Sequence, residues 1–221
     1  EENVIAVRVD ATRYEGWWYE GAGIYRHVWL ILTDPLCVDT YGVWVNPRRE
    51  NARLGTWRVP IETTLYNGGA TMAEATVLST LEAPDGRMLG QAQSVTLVPA
   101  RGQAVVRQSM NVRSPLLWSL EQPTLYRLRT LVIRDDAPVD DQETIFGFRT
   151  VGYSATEGFL LNDQPVKLKG TCNHQDHAGL GVALPDRIHA YRIERLLAMG
   201  SNAYRSAHNP PAPELLDACD A

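Results

Sequence analysis

The sequence lacks the features that mark several protein classes. No apolar run approaches the roughly 18 to 20 residues of a membrane-spanning helix, so no membrane partner is expected. Cysteine is scarce: Cys37, Cys172 and Cys219 are an odd number at wide spacings, which fits reduced, partly buried thiols better than a disulfide framework. Neither a Cys-x-x-Cys nor a His-Glu-x-x-His pattern occurs, so no motif with metal-ligand spacing is present. Clustered positive charge is missing as well. The 21 Lys and Arg are scattered among 26 Asp and Glu, the net charge is −5 and the pI is near 5.6. That balance offers no basic face to a phosphate backbone, and nucleic acid is not an expected partner. There is no initiator Met and no charged-then-apolar leader before Val4. A native start elsewhere is therefore expected, and the compartment stays open between cytoplasm and an exported location. What is present is enough to fold: 44% apolar and 21% charged residues in a chain of 221 supply one large core or two ordinary ones, which argues against disorder.

Two β-branched or apolar runs, Val4 to Val9 and Val28 to Leu32, flank a Gly-rich aromatic stretch and read as strands. Thr33-Asp34-Pro35 supplies turn chemistry, since Pro removes a ladder donor and Asp favours local side-chain bonds. A domain boundary is placed there, giving a first segment of 1–34. From 35 to 150, short strand-like runs recur: Val43 to Val45, Trp57 to Tyr66, Ala75 to Leu81, Ser94 to Val98, Ala104 to Val112, Leu125 to Ile133 and Thr144 to Arg149. Asn67-Gly68-Gly69 and Pro84-Asp85-Gly86 supply the turns that hairpins need. Short strands at this spacing, without a helical period, match an immunoglobulin-like β-sandwich, although the usual Cys-to-Cys bridge is absent. Trp118 and Tyr126 are expected in its core.

After Thr150 the texture changes. Phe159-Leu160-Leu161 and Val166-Lys167-Leu168 flank Asn162-Asp163-Gln164-Pro165, which predicts a tight hairpin. Pro185 and Asp186 suit a helix start, Ala190, Ile193, Leu196 and Leu197 form an apolar stripe, and Gly200 suits a left-handed stop. Asn202 to Arg205 reads as a short strand, and a second helix begins near Pro213. Strand, helix, strand, helix predicts a parallel α/β unit over 151–221.

Several blocks of this sequence resemble glycoside hydrolase family 2, the β-galactosidase-like group. "GWWYEGAGIYRHVWLIL" at 16–32 resembles the end of that family's sugar-binding jelly roll. "PLLWSLEQPTLYRL" at 115–128 resembles the late strands of its immunoglobulin-like domain, and "FGFRT" at 146–150 the link into its barrel. "KLKGTCNHQDHAGLG" at 167–181 and "NAYRSAHNPPAPELLDACD" at 202–220 resemble the first two strand-to-loop transitions of its (β/α)8 barrel. The implied architecture is mainly β: jelly-roll strands at 1–34, a sandwich at 35–150 and the N-terminal, incomplete part of a TIM barrel at 151–221.

The implied activity is a retaining exo-acting β-glycosidase, most similar to β-galactosidases. β-Glucuronidase and β-mannosidase remain alternatives, as does a non-catalytic carbohydrate-binding or structural module. By resemblance, His174 matches a sugar-contacting histidine, Asp176 its acidic neighbour, Arg205 the arginine that holds catalytic carboxylates charged, and His208 a second sugar-contacting histidine. Cys172 stands where many members have Asn, and Ala207 where many have Ser. The residue types suit the task, because barrel active sites assemble at the carboxyl ends of strands and an Arg beside a carboxylate keeps it ionised. In the family the catalytic acid is a Glu following an Asn, and no Asn-Glu pair occurs in this sequence. The chain by itself is therefore expected to lack both catalytic carboxylates and to be inactive, with no cofactor of its own. Relatives imply a divalent metal such as magnesium, and oligomeric assembly, for the parent protein.

Two sharper readings compete with these. Cys172, His174, Asp176, His177 and His208 offer thiolate, imidazole and carboxylate, and so could bind zinc, but without paired ligand spacing sugar contact is preferred. Trp17, Trp18 and Tyr19 could stack on a sugar, yet adjacent strand residues face opposite sides, so packing is preferred for them. Glu20 is a secondary candidate for sugar contact.

Overall fold

A computed structural model describes residues 3–10, 12 and 23–220. The readings of Trp17, Trp18, Tyr19 and Glu20 fall outside the described residues. The chain falls into two compact units: one holds Ile31–Lys169, the other groups residues up to Leu30 with Gly170–Cys219.

The first unit is a two-sheet β-sandwich. One sheet has β3 (Thr56–Asn67) at its centre, paired antiparallel to β1 (Leu36–Val45), β2 (Arg48–Asn51) and β6 (Gly102–Arg113). The other runs β5 (Met88–Val98), β4 (Ala73–Glu82), β7 (Tyr126–Arg134), β8 (Ala137–Phe146). Alternation dictates which side chains go inside: in β3, Trp57, Val59, Ile61, Thr63 and Leu65 are all buried at 2% exposure or less, while Arg58 between them is exposed. Facing residues of the second sheet, Val77 and Leu81 from β4 with Leu128 and Val132 from β7, are fully buried. Phe148 closes one end, with edge-on contacts to Trp57 and Tyr126 at centroid distances of 5.5 and 4.7 Å, a geometry that aromatic quadrupoles favour. Tyr126 is thus in the core as expected. Trp118 is not: it lies in an irregular segment, half-buried, with the Arg149 guanidinium 4.8 Å over its ring.

The turns differ in kind. Ala83 to Arg87 forms the expected hairpin between β4 and β5, closed by Gly86 N–H donating to the Ala83 carbonyl. Asn67-Gly68-Gly69 is instead a crossover, because β3 and β4 belong to different sheets; the Asn67 side chain organises it by donating to the Thr71 and Val98 carbonyls. The β7–β8 hairpin turns on Asp135 and Asp136, both at positive φ, the geometry of a type I′ turn.

Attached to this unit is a small antiparallel sheet of β9 (Val151–Ser154), β10 (Gly158–Leu161) and β11 (Gln164–Pro165). The predicted hairpin exists, turning on Asn162 and Asp163 at positive φ. Its return strand stops at Pro165 rather than extending through Leu168; the last bond across the pair is from the Val166 N–H to the Phe159 carbonyl at 2.9 Å.

In the second unit, β12 (Gly170–Asn173) and β13 (Ala203–Ser206) pair in parallel, joined by α1 (Asp186–Ala198) and followed by α2 (Pro213–Asp220). This is the expected α/β crossover. α1 ends as Gly200 adopts φ +90° while Ser201 N–H donates to the Leu196 carbonyl at 2.9 Å, the glycine-terminated stop of many helices. The buried stripe differs from the predicted one: His189 is its buried member, and Leu197 is 60% exposed. The runs Val4 to Val9 and Val28 to Leu32 are not strands. β-Branched composition favours extended backbone, but a strand also needs a ladder partner, and none of the described residues pairs with them.

Candidate active-site wall at the ends of two parallel strands

The parallel register sets the site. Cys172 is opposite Arg205 and Asn173 opposite Ser206, so alternation sends Cys172 and Arg205 to one face of the pair and Asn173 and Ser206 to the other. The strands approach closely at their start, where a Cβ on Gly170 would overlap the Ala203 carbonyl oxygen. Glycine is required at that position. The Ala207 N–H donates to the Asn173 carbonyl at 2.9 Å, which extends the alignment into the loop carrying His208.

Three of the four predicted residues come together on the Cys172 face. The Arg205 guanidinium donates from Nη1 to Cys172 Sγ at 3.2 Å and from Nη2 to His208 Nδ1 at 3.4 Å. The His174 and His208 rings meet edge-on with centroids 5.5 Å apart. All three residues, with Cys172, are exposed. Asp176 is placed differently. It lines a cleft with His174, Asn173 and Ser206, and its carboxylate makes no hydrogen bond or ion pair with Arg205 or His208 among the described residues. His174 is thus the member shared by the cleft and the open face.

One residue that the sequence reading passed over organises this loop. Arg192, from the middle of α1, donates to the His174 carbonyl at 2.8 Å, to the Gln175 carbonyl at 2.9 Å and to the Asp176 carbonyl, and its Nη2 lies 3.3 Å from His177 Nδ1. A planar guanidinium can hold several acceptors in fixed geometry. Nothing but its helical position distinguishes Arg192 in the sequence. Below the loop, Tyr204 and His189 line the same cleft. Burial pushes the Tyr204 hydroxyl pKa up and the His189 imidazole pKa down.

The donor set on the open face is two imidazoles, a guanidinium and a thiol. It does not fit magnesium, which takes oxygen ligands. The zinc reading of Cys172, His174, Asp176, His177 and His208 also fails geometrically, because no three of them bring ligand atoms within 4.8 Å of one another; among the described residues only His27, Asp186 and Glu214 do so.

Comparison with known proteins bears on this arrangement. The family model "Glycosyl hydrolases family 2" matches residues 39–149, and "Glycosyl hydrolases family 2, TIM barrel domain" matches 155–221. The β-galactosidase BoGH2A of Bacteroides ovatus is 39% identical over the whole of this chain, which spans 26% of that protein. A β-glucuronidase of Bacteroides fragilis is 30% identical over 90% of the chain, corresponding to 29% of its own length. Among solved structures, a glycosyl hydrolase family 2 member from Bacteroides cellulosilyticus superposes with a TM-score of 0.84 at 33% identity, covering 93% of this chain and 28% of that one.

Proposed function

Because this chain belongs to glycosyl hydrolase family 2, we propose that it is part of a retaining hydrolase that removes terminal β-linked sugars, with β-galactosides as its substrate class. The observation that carries the reading is the grouping of His174, Arg205 and His208 at the carboxyl ends of two adjacent parallel strands. Barrel enzymes assemble their sites at those ends. Its roles follow from chemistry. The two imidazoles offer donors and acceptors to sugar hydroxyls, and Arg205, always cationic, holds any carboxylate placed beside it in the ionised state by opposite charge. Arg192 fixes the loop that presents His174. Asp176 supplies an acceptor at the cleft.

Retaining hydrolysis further needs two carboxylates about 5 to 5.5 Å apart, one acting as acid and base and the other as nucleophile. No residue of this chain is assigned either role, and the isolated chain is expected not to turn over a chromogenic β-galactoside. The 39% identity to a β-galactosidase favours galactosides, while the 30% identity to a β-glucuronidase supports glucuronides as the second reading. Steady-state kinetics of the full-length protein on nitrophenyl β-galactoside and β-glucuronide separates the two. Arg205→Ala is expected to lower kcat/KM by about a hundredfold or more, the scale for a lost charge-stabilising donor. Unchanged kinetics in that variant, or no hydrolysis of any β-glycoside by the full-length protein, would overturn the proposal, and the second outcome would favour a non-catalytic module.

A further inference from the structure

A second constellation lies in the same unit, away from the Cys172 face. His27 Nε2 is 2.7 Å from Asp186 Oδ1 and 3.8 Å from Glu214 Oε1, and the ligand atoms of all three residues lie within 4.8 Å of one another. They come from three separate places in the chain: the segment before Leu30, the first residue of α1 and the first turn of α2. A fourth group stands behind them. His189 is three residues after Asp186 on α1 and lines the same cleft as His27, Asp186 and Glu214, as the i, i+3 spacing on one helix face requires. It is only 3% exposed, and its Nδ1 is buried without a hydrogen-bond partner. A buried imidazole nitrogen left without a partner costs desolvation free energy, but the His189 nitrogens are not among the ligand atoms that lie within 4.8 Å of one another.

We propose that His27, Asp186 and Glu214 form a binding site for a divalent transition-metal ion of the zinc type. Two carboxylates and one imidazole supply the mixed oxygen and nitrogen donors and the two negative charges that such an ion takes. Zinc holds its ligands at about 2.0 to 2.2 Å, which sets donor-to-donor separations at about 3.3 Å. The distances of 2.7 and 3.8 Å from His27 to the two carboxylates bracket that value, and the carboxylates themselves lie within 4.8 Å of each other. The nearby cations do not compete for the carboxylates: Arg26 donates to the Pro210 carbonyl at 2.6 Å, and Arg192 is held by the loop carbonyls. The site is independent of the sugar-contacting residues, and it stands whether or not the glycosidase reading does.

The test is zinc uptake by the full-length protein after stripping with a chelator, followed by competition with a chromophoric indicator. Wild type is expected to hold one more equivalent than the His27→Ala/Glu214→Gln variant, and Glu214→Gln alone is expected to weaken that equivalent at least tenfold. Equal stoichiometry and affinity in all three would overturn the proposal. If the variants fail to fold, anomalous diffraction from zinc-soaked wild-type crystals decides it: a peak within bonding distance of His27 Nε2 and the two carboxylates supports the site, and no peak there refutes it.

Discussion

In the sandwich, β3 is hydrogen-bonded on both sides and buries every second side chain, whereas among the described residues β12 has only β13 as partner and leaves Cys172 exposed. The sandwich core is built from Leu, Val, Ile, Phe and Trp at or near zero exposure. Among the described residues, the apolar groups buried in the second unit are few: Leu184, Ala207, Ala212 and Leu215. Stability and the proposed sugar site are therefore carried by different regions. One region closes its ladders and its core; the other holds charged and imidazole groups at an open strand end, where they can meet a ligand. Open ladders and exposed side chains are what local opening acts on first.

The largest expected effect is on that contrast itself. Native-state hydrogen exchange should show the amides of β3 and β6 opening only near the global unfolding free energy, several kcal/mol above those of β12 and β13. Equal protection in β12 would break the comparison. Next in size, Phe148→Ala should destabilise the sandwich by about 3 to 5 kcal/mol, the range for truncating a buried aromatic, whereas Leu197→Ala, at a position 60% exposed, should stay within about 0.5 kcal/mol. Urea denaturation followed by tryptophan fluorescence measures the first, because Trp57 packs edge-on against Phe148.

A smaller effect sharpens the picture of the sandwich core. Thr63, Ser79 and Thr130 are buried at 1% exposure or less, and their hydroxyls have no partner. Ser79 and Thr130 are cross-strand neighbours. Replacing a buried, unpaired hydroxyl with a methyl of similar shape removes a desolvation penalty. Thr63→Val is accordingly expected to stabilise by about 1 kcal/mol in the same denaturation experiment, and a loss of stability would show that the hydroxyl is satisfied in solution.

Legibility followed the physics of each element. The alternation in β3 and the crossover helix α1 could be read, because burial imposes a period on them. β2 could not, since its residues Arg48 to Asn51 are polar, and neither could the first half of β8, Ala137 to Asp141, where Pro138 and two Asp are turn-favouring residues. Such strands are fixed by neighbours with which they pair, not by their own composition. The opposite error occurred at Val4 to Val9, where composition favoured a strand and none of the described residues pairs with it. For the site, the strand-end positions of His174, Arg205 and His208 were visible through the resemblance, while the departure of Asp176 toward the cleft depends on the loop that Arg192 holds. The group of His27, Asp186 and Glu214 was invisible, because its members lie 159 and 28 residues apart in sequence and meet only after the crossover folds.

The smallest expected effect lies on the exposed face of α1. Arg187 and Glu194 form a two-point ion pair at 2.7 and 3.0 Å, and the hydrogen bonds from Arg187 hold the Glu194 carboxyl below its usual pKa. A carboxyl whose pKa is lower in the folded state stabilises the fold above its unfolded pKa, and that contribution disappears as the pH falls through the folded value. Both side chains are solvent-exposed, so screening keeps the contribution small. Arg187→Ala should let the Glu194 pKa, followed by carbon-detected NMR, rise toward the ordinary carboxylate range while neutral-pH stability barely moves. An unchanged pKa would mean that the pair does not persist in solution, and that the surface of α1, unlike the sandwich interior, is held by backbone and packing alone.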